Sequence, residues 1–306
     1  MRFSPCKTVL LSLALLFVLT GWANAQPIEP LQIFTSVLPL KYFVERVGGQ
    51  RVAVRVMVGP GRSPATYEPK PKQMAALSRA QIYYRVGVPF ESVWMKRIAN
   101  LNPAMEIVDL RQGLELRPLE HHHHDAEEDL HEVELKDHEQ TEELDPHLWT
   151  DPNLVKQMTE RIRATLTAAD PAGAADYQTG AEAFIRDLDD LDRAIRQQLA
   201  KVKERRFLVF HPSWGYFAAA YDLQQIAVEA SGKEPGPRAL AGIIKQAKDN
   251  QISVVFVQQQ FSRTTAATIA RAIDGQVVAI DPLAEDYLAN MRRTADAFAR
   301  SLEKSL

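Results

Sequence analysis

Short segments rich in β-branched residues alternate with amphipathic segments along this chain, and this alternation is the feature that most limits its fold. The first half is predicted to contain strands at 31–37, 52–58, 81–86 and 106–109, separated by helices at 38–47, 71–79 and 91–99. Such alternation is typical of a parallel sheet that carries helices on its faces. The first half of the chain is therefore predicted to form one α/β lobe.

One long helix separates this series from a second one. After a helix at 152–168, apolar residues recur every three or four positions across 172–202, the pattern of one helix face. About 30 helical residues would extend for roughly 45 Å, enough to bridge two lobes. Beyond it, strands are predicted at 207–210, 224–228, 254–257 and 276–280, with helices at 214–220, 238–249, 266–273 and 285–302. The predicted fold is α/β, with two lobes (26–170 and 204–306), each with a mainly parallel sheet flanked by helices, joined by a backbone helix at 171–203.

The first 25 residues have the layout of a secretory signal peptide. Two basic residues precede an apolar run at 9–20, and a small-residue cleavage site follows at 23–25. The apolar run is shorter than the ~20 residues that span a bilayer, so an uncleaved membrane anchor is the less favoured interpretation. The single cysteine of the chain, Cys6, lies in this segment. We therefore expect a cleaved periplasmic protein without disulfides or thiolate metal ligands.

The composition is ordinary except in one acidic segment. Apolar residues are 46% and charged residues 25% of the chain, and the net charge is −3, so neither a multi-span membrane protein nor a nucleic-acid partner is expected. The exception, 120–145, contains six of the eight histidines: His121, His122, His123, His124, His131 and His138. Its few apolar residues predict a mobile surface loop. Clustered histidines and carboxylates bind divalent metals, so this histidine-rich loop is a candidate metal-collecting segment, and a solvated loop without function is the alternative.

The other two histidines each lie beside a proline in a loop between predicted elements. Proline restricts the backbone, so the imidazoles of His147 and His211 are held on stiff turns. Asp281 directly follows a predicted strand, where ligands of parallel sheets bind. One loop histidine alone is explained more simply as a capping group. Two, from opposite lobes and together with Asp281, favour a site for Zn²⁺ or a similar divalent metal.

Five motifs extend this pattern across nearly the whole chain. They are Ser63-Pro64-x-Thr66-Tyr67-Glu68-Pro69, Asp145-Pro146-His147-Leu148-Trp149, Phe210-His211-Pro212-x-Trp214-Gly215-Tyr216-Phe217, Gly232-Lys233-Glu234-Pro235 and Ile280-Asp281-Pro282-Leu283. In this order they resemble the cluster A-I metal-binding solute-binding proteins of bacterial ABC importers, the ZnuA/TroA type. The resemblance implies two α/β lobes, a rigid connecting helix, a metal in the cleft between the lobes, and delivery of that metal to a membrane permease. Zinc-type members of the family often carry a similar histidine-rich loop before the Asp-Pro-His motif.

One position departs from the family pattern. The family has a histidine ligand directly after Ser-Pro, where this chain has Ala65, so the resemblance implies only His147, His211 and Asp281 as ligands. Water, Glu68 or a histidine of the loop would complete a tetrahedral site, although Glu68 is otherwise expected to be structural. Histidine rather than a carboxylate at position 211 resembles the zinc-type pattern, because Mn²⁺ prefers oxygen ligands. We expect Zn²⁺ as the transported ligand, with Mn²⁺ as the alternative.

Two tryptophans and two glutamates near these loops are assigned structural roles. Trp149 and Trp214 are expected to pack in the cleft wall and to orient the histidine loops. Glu229 and Glu234 are expected to belong to the hinge and the cleft edge. Neither pair is assigned to the metal site.

The sequence therefore predicts a monomeric periplasmic binding protein for a divalent metal, without enzymatic activity. It would deliver the metal to an ABC transporter permease in the inner membrane, and the rigid helix would limit opening to small rocking motions. Two alternatives stay open. A zinc hydrolase would use the same three side chains and an activated water, although no H-E-x-x-H motif and no clear general base is present. A periplasmic metal buffer would act through the histidine-rich loop alone.

Overall fold

The computed structural model describes residues 29–119, 144–229 and 232–303. The predicted signal peptide at 1–25 and the six histidines of the histidine-rich loop lie outside the described residues. Within the described ranges, no helix is long and apolar enough to cross a membrane.

The first lobe is built on a parallel sheet. Its strands and helices are β1 (Leu31–Val37), α1 (Leu38–Gly48), β2 (Val52–Val58), α2 (Pro71–Leu77), β3 (Ile82–Arg85), α3 (Pro89–Leu101) and β4 (Glu106–Asp109). The strand order is β2-β1-β3-β4, and all pairs are parallel. The interior strand β1 is almost completely buried, as expected for a parallel sheet covered by helices on both faces.

The second lobe repeats this arrangement. The elements that follow the first sheet are α4 (Pro152–Ala169), α5 (Ala174–Leu199), β5 (Arg206–Val209), α6 (Gly215–Ala220), β6 (Gln224–Ala227), α7 (Pro237–Asp249), β7 (Val254–Val257), α8 (Arg263–Ala272), β8 (Gln276–Ala279) and α9 (Tyr287–Glu303). The second sheet is also parallel, in the order β6-β5-β7-β8. The predicted α/β fold of two parallel-sheet lobes joined by a long helix is confirmed.

Helix α5 is the connection between the lobes. It packs on α1 and α4 of the first lobe and on α9 of the second. Its buried face consists of Tyr177, Ala181, Phe184, Leu188, Leu191, Ile195 and Leu199. It begins two residues later than predicted because Pro171–Gly173 forms a 3-10 turn, and it ends at Leu199 rather than at 202. Its 26 residues extend for about 39 Å, still long enough to bridge both lobes.

Buried contacts fix the lobes against each other beside α5. The ring of Phe43 in α1 packs edge-on against Tyr287 in α9, with centroids 4.8 Å apart. Asp192 in α5 accepts hydrogen bonds from Asn153 Nδ2 at the start of α4 (3.3 Å) and from the Tyr221 hydroxyl after α6 (3.0 Å). One carboxylate of the connecting helix therefore joins both lobes.

Candidate metal centre

The two proline-flanked histidines meet in one cavity between the lobes. His147 comes from the loop before α4, and His211 comes from the loop after β5. Their ring centroids are 5.2 Å apart and their planes are inclined by 77°. The cavity has a volume of about 190 Å³, and Ala65 of the first lobe forms part of its wall. The structure thus brings together two of the three predicted ligands from opposite lobes, although they lie far apart in sequence.

The carboxylate of Asp145 holds His147 in place. Asp145 Oδ1 lies 2.6 Å from His147 Nδ1 and accepts a hydrogen bond from the His147 backbone N–H at 2.9 Å. Asp145 is only 3% exposed. The indole ring of Trp149 packs edge-on against the imidazole, with centroids 5.2 Å apart. The Asp-Pro-His sequence therefore forms a compact turn in which both the backbone and the side chain of the histidine are bound.

Three side chains hold His211. Its Nδ1 is hydrogen-bonded to Oε1 of the buried Glu229, and its ring stacks on Phe261 with centroids 5.0 Å apart. Gln258, also buried, accepts a hydrogen bond from the His211 backbone N–H (3.2 Å) and donates one to the His211 carbonyl (2.6 Å). Burial lowers the pKa of His211, so the imidazole is favoured in the neutral form that binds metals.

Each histidine is thus bound to a carboxylate through Nδ1, so Nε2 is the ring nitrogen that these contacts leave for a ligand. Sequence reasoning placed Glu229 at the cleft edge as a structural residue and missed its contact with His211. Glu229 follows β6, and only the parallel pairing of β6 with β5 brings it beside His211. The contact of Asp145 with His147 could have been predicted from the sequence, because an aspartate side chain often accepts a hydrogen bond from the backbone N–H two residues further on. Glu234 instead accepts a hydrogen bond from the Thr265 hydroxyl at the surface (3.0 Å).

Asp281 lies apart from the two histidines. It lines a neighbouring open cleft of about 530 Å³, and its Oδ1 accepts a hydrogen bond from the Leu283 N–H at 2.9 Å. Burial raises the pKa of Asp281. Glu68 is exposed and is not part of the cavity wall. Within residues 29–119, 144–229 and 232–303, no group of three or more histidine, cysteine or acidic side chains is arranged to hold a metal ion. The full ligand set of His147, His211 and Asp281 stays a prediction.

The two tryptophans occupy different places. Trp149 Nε1 donates a buried hydrogen bond of 2.7 Å to the Pro282 carbonyl, so it joins the loop of His147 to the loop of Asp281. Trp214 is fully buried and packs edge-on against Phe217 and Phe298. Trp149 thus has the orienting position predicted for both residues, whereas Trp214 belongs to the aromatic core of the second lobe.

Known proteins share both the sequence pattern and the fold. The family model described as "Zinc-uptake complex component A periplasmic" matches residues 33–301. The manganese-binding lipoprotein MntA of Halalkalibacterium halodurans is 27% identical over 289 residues, which cover 90% of each chain. The zinc-binding lipoprotein AdcA of Streptococcus pneumoniae is 25% identical over 300 residues, which cover 97% of this chain but 59% of AdcA.

A solved structure gives the same result at higher identity. The crystal structure of ZnuA superposes with a TM-score of 0.81 at 36% identity, covering 90% of this chain and 100% of that one. The match extends over both lobes, and the family consists of solute-binding proteins, not enzymes. The chain belongs to the family of zinc-uptake complex component A, the periplasmic metal-binding proteins of the ZnuA type.

Proposed function

We propose that this protein captures Zn²⁺ in the cavity between its lobes and delivers it to the permease of an ABC importer. The facing pair of His147 and His211 supports this proposal, because two imidazoles from opposite lobes lie 5.2 Å apart and each is bound through Nδ1. Imidazole nitrogen suits Zn²⁺ better than Mn²⁺. Because AdcA is named as zinc-binding and MntA as manganese-binding, Mn²⁺ is the alternative cargo.

We infer that Asp281 is the third ligand and that it joins the histidines when metal binds. Leu283, two residues further on, already lines both the histidine cavity and the cleft that contains Asp281. A small rotation of this loop would therefore carry the carboxylate toward the metal. Water, Glu68 or a histidine of the histidine-rich loop would supply a fourth donor, since Zn²⁺ favours four ligands.

The parts of the chain outside the cavity complete the proposal. Residues 1–25 would direct export and be cleaved, so that a monomer of two lobes, 26–170 and 204–306, joined by 171–203, acts in the periplasm. The histidine-rich loop would collect metal and keep it at high local concentration beside the cavity, because it is tethered there.

Calorimetric titration with Zn²⁺ and with Mn²⁺ tests the cavity site. We expect one tight Zn²⁺ site in protein purified without an affinity tag, and weaker binding of Mn²⁺. His147→Ala or His211→Ala should each weaken this site by more than roughly 100-fold, because a direct ligand matters at least as much as its hydrogen-bonding partner. Gln178→Ala, at an exposed position of α5, is the control and should leave the tight site unchanged. Unaltered affinity in both cavity variants would refute the assignment.

Removing residues 120–143 separates the proposal from a metal buffer. A cavity protein keeps its tight site without the histidine-rich loop, whereas a buffer that acts through the loop loses all binding. The hydrolase alternative has no support, because the chain belongs to a family of solute-binding proteins.

A further inference from the structure

We propose that Asp145 and Glu229 are positioning residues, which fix His147 and His211 in the form protonated on Nδ1 so that both present Nε2 to the same point in the cavity. This proposal rests on the proposed capture of a metal and adds two residues to the site. Neither carboxylate is required to touch the metal.

The first pair is formed within one turn. Asp145 Oδ1 accepts from the His147 backbone N–H and lies 2.6 Å from Nδ1, so the backbone contact fixes the direction from which the carboxylate meets the ring. The Tyr216 hydroxyl of the second lobe donates to the Asp145 carbonyl at 3.2 Å. The Asp145 N–H donates to the Arg117 carbonyl at 2.9 Å. The backbone of Asp145 is therefore held by hydrogen bonds from both lobes, which fixes the position from which its carboxylate meets the ring.

The second pair is formed across two strands. Glu229 is eighteen residues from His211, yet its Oε1 is bonded to the His211 Nδ1 because β6 pairs with β5 in parallel. The side chain of Glu229 is 2% exposed, whereas that of His211 is 22% exposed. The carboxylate thus lies at the Nδ1 edge of the ring and is shielded from solvent. Phe261 stacks on the ring and prevents it from turning over.

The chemistry of the pairs determines where the ring proton lies. An ionised carboxylate only accepts hydrogen bonds, so the nitrogen that faces it must carry the proton. The other nitrogen then has its lone pair free, and a carboxylate partner makes that lone pair more basic. The Asp145–His147 pair arises from a local turn and the Glu229–His211 pair from the pairing of two strands. Both pairs nevertheless place the ring proton on Nδ1 of the two facing histidines. The cavity therefore presents two ring nitrogens whose lone pairs are already free to bind a metal.

Nuclear magnetic resonance of the histidine side chains tests the proposal without metal. Two-bond ¹H–¹⁵N spectra of the metal-free full chain should show both rings protonated on Nδ1. Glu229→Ala should shift His211 toward protonation on Nε2 and weaken Zn²⁺ binding by about 10–100-fold. Glu229→Gln keeps an acceptor oxygen and should restore most of both properties. Asp145→Ala and Asp145→Asn should act in the same way on His147.

The matched control is Glu204→Gln, which changes a carboxylate that is bound to Arg206 at the opposite end of β5 from His211 and does not line the cavity. It should change neither the ring proton nor Zn²⁺ binding. Wild-type rings protonated on Nε2 would overturn the proposal. So would weaker Zn²⁺ binding in Glu229→Ala and Glu229→Gln alike with an unchanged ring proton, because Glu229 would then be a direct ligand. If the wild-type protein fails to bind Zn²⁺, the proposed function fails, while the metal-free spectra still decide the positioning role.

Discussion

Replacing Trp149 with phenylalanine tests whether one buried hydrogen bond fastens the loop of His147 to the loop of Asp281. The Trp149 indole donates to the Pro282 carbonyl at 2.7 Å, and the residue is 1% exposed. Phenylalanine fills most of the same space but has no N–H group. The variant therefore removes the hydrogen bond and leaves the Pro282 carbonyl buried without this donor.

The expected loss has two parts. A buried carbonyl that loses its donor costs about 1–3 kcal/mol. Phenylalanine also lacks two ring carbons of the indole, which at about 0.8 kcal/mol for each buried carbon group lowers the free energy of unfolding by roughly a further 1.5 kcal/mol. Trp149→Phe should therefore lower the free energy of unfolding by about 2.5–4.5 kcal/mol, a large share of the 5–15 kcal/mol typical of folded proteins.

Trp214→Phe separates the hydrogen bond from the change in ring size. Trp214 is fully buried, and in the described part of the chain its indole nitrogen has no hydrogen-bond partner. This control should cost only the roughly 1.5 kcal/mol of ring contacts. Urea unfolding followed by circular dichroism measures both variants through their midpoints. If the two losses agree within about 0.5 kcal/mol, the Trp149 hydrogen bond contributes nothing and the argument is refuted.

Three other substitutions probe the site and its surroundings. Gln258→Leu should lower the free energy of unfolding by about 1–3 kcal/mol, because it removes the buried hydrogen bonds to both backbone groups of His211; an unchanged urea midpoint would contradict this. Ala65→His adds an imidazole to the cavity wall and should tighten Zn²⁺ binding at least tenfold, or about 1.4 kcal/mol, by calorimetry; equal affinity would show that position 65 cannot reach the metal. Burial raises the pKa of Asp151 above 3.8, so the folded state holds this proton more tightly than the unfolded state, and stability falls as the pH rises through the raised pKa. Asp151→Asn keeps an acceptor for the Asn153 N–H and should be more stable than wild type at pH 7, with the advantage vanishing below pH 3.8 in thermal melts; an advantage that persists there would contradict the reasoning.

Local patterns in the sequence predicted most elements well. The strands at 31–37 and 254–257 have the predicted bounds, because runs of β-branched and aromatic residues end at clear helix or turn signals. The ends of α5 were misjudged, because apolar spacing continues through the 3-10 turn before it and past its last residue. The prolines beside both histidines correctly marked the loops that meet in the cavity.

The contacts that complete the cavity are long-range, and sequence periodicity carries no information about them. The bond of Glu229 to His211 depends on strand order in the second sheet, which no single segment reveals. The same holds for Trp149, whose acceptor lies in the other lobe. Asp281 was placed correctly at the end of a strand, but its side chain faces a neighbouring cleft because the Leu283 N–H binds it there.

Helix α5 makes the connection between the two lobes stiff. The helix packs against both lobes, and Asp192 in its C-terminal half is hydrogen-bonded to both of them. Separation of the lobes would therefore strain these side-chain contacts, because a packed helix and not a flexible linker connects the lobes. Pulling His147 away from His211 therefore requires work, and that work grows with the distance opened. Because the connection is stiff, we expect thermal motion to separate the two imidazoles only slightly. We therefore expect the membrane complex that receives the metal to supply the force that opens the cavity.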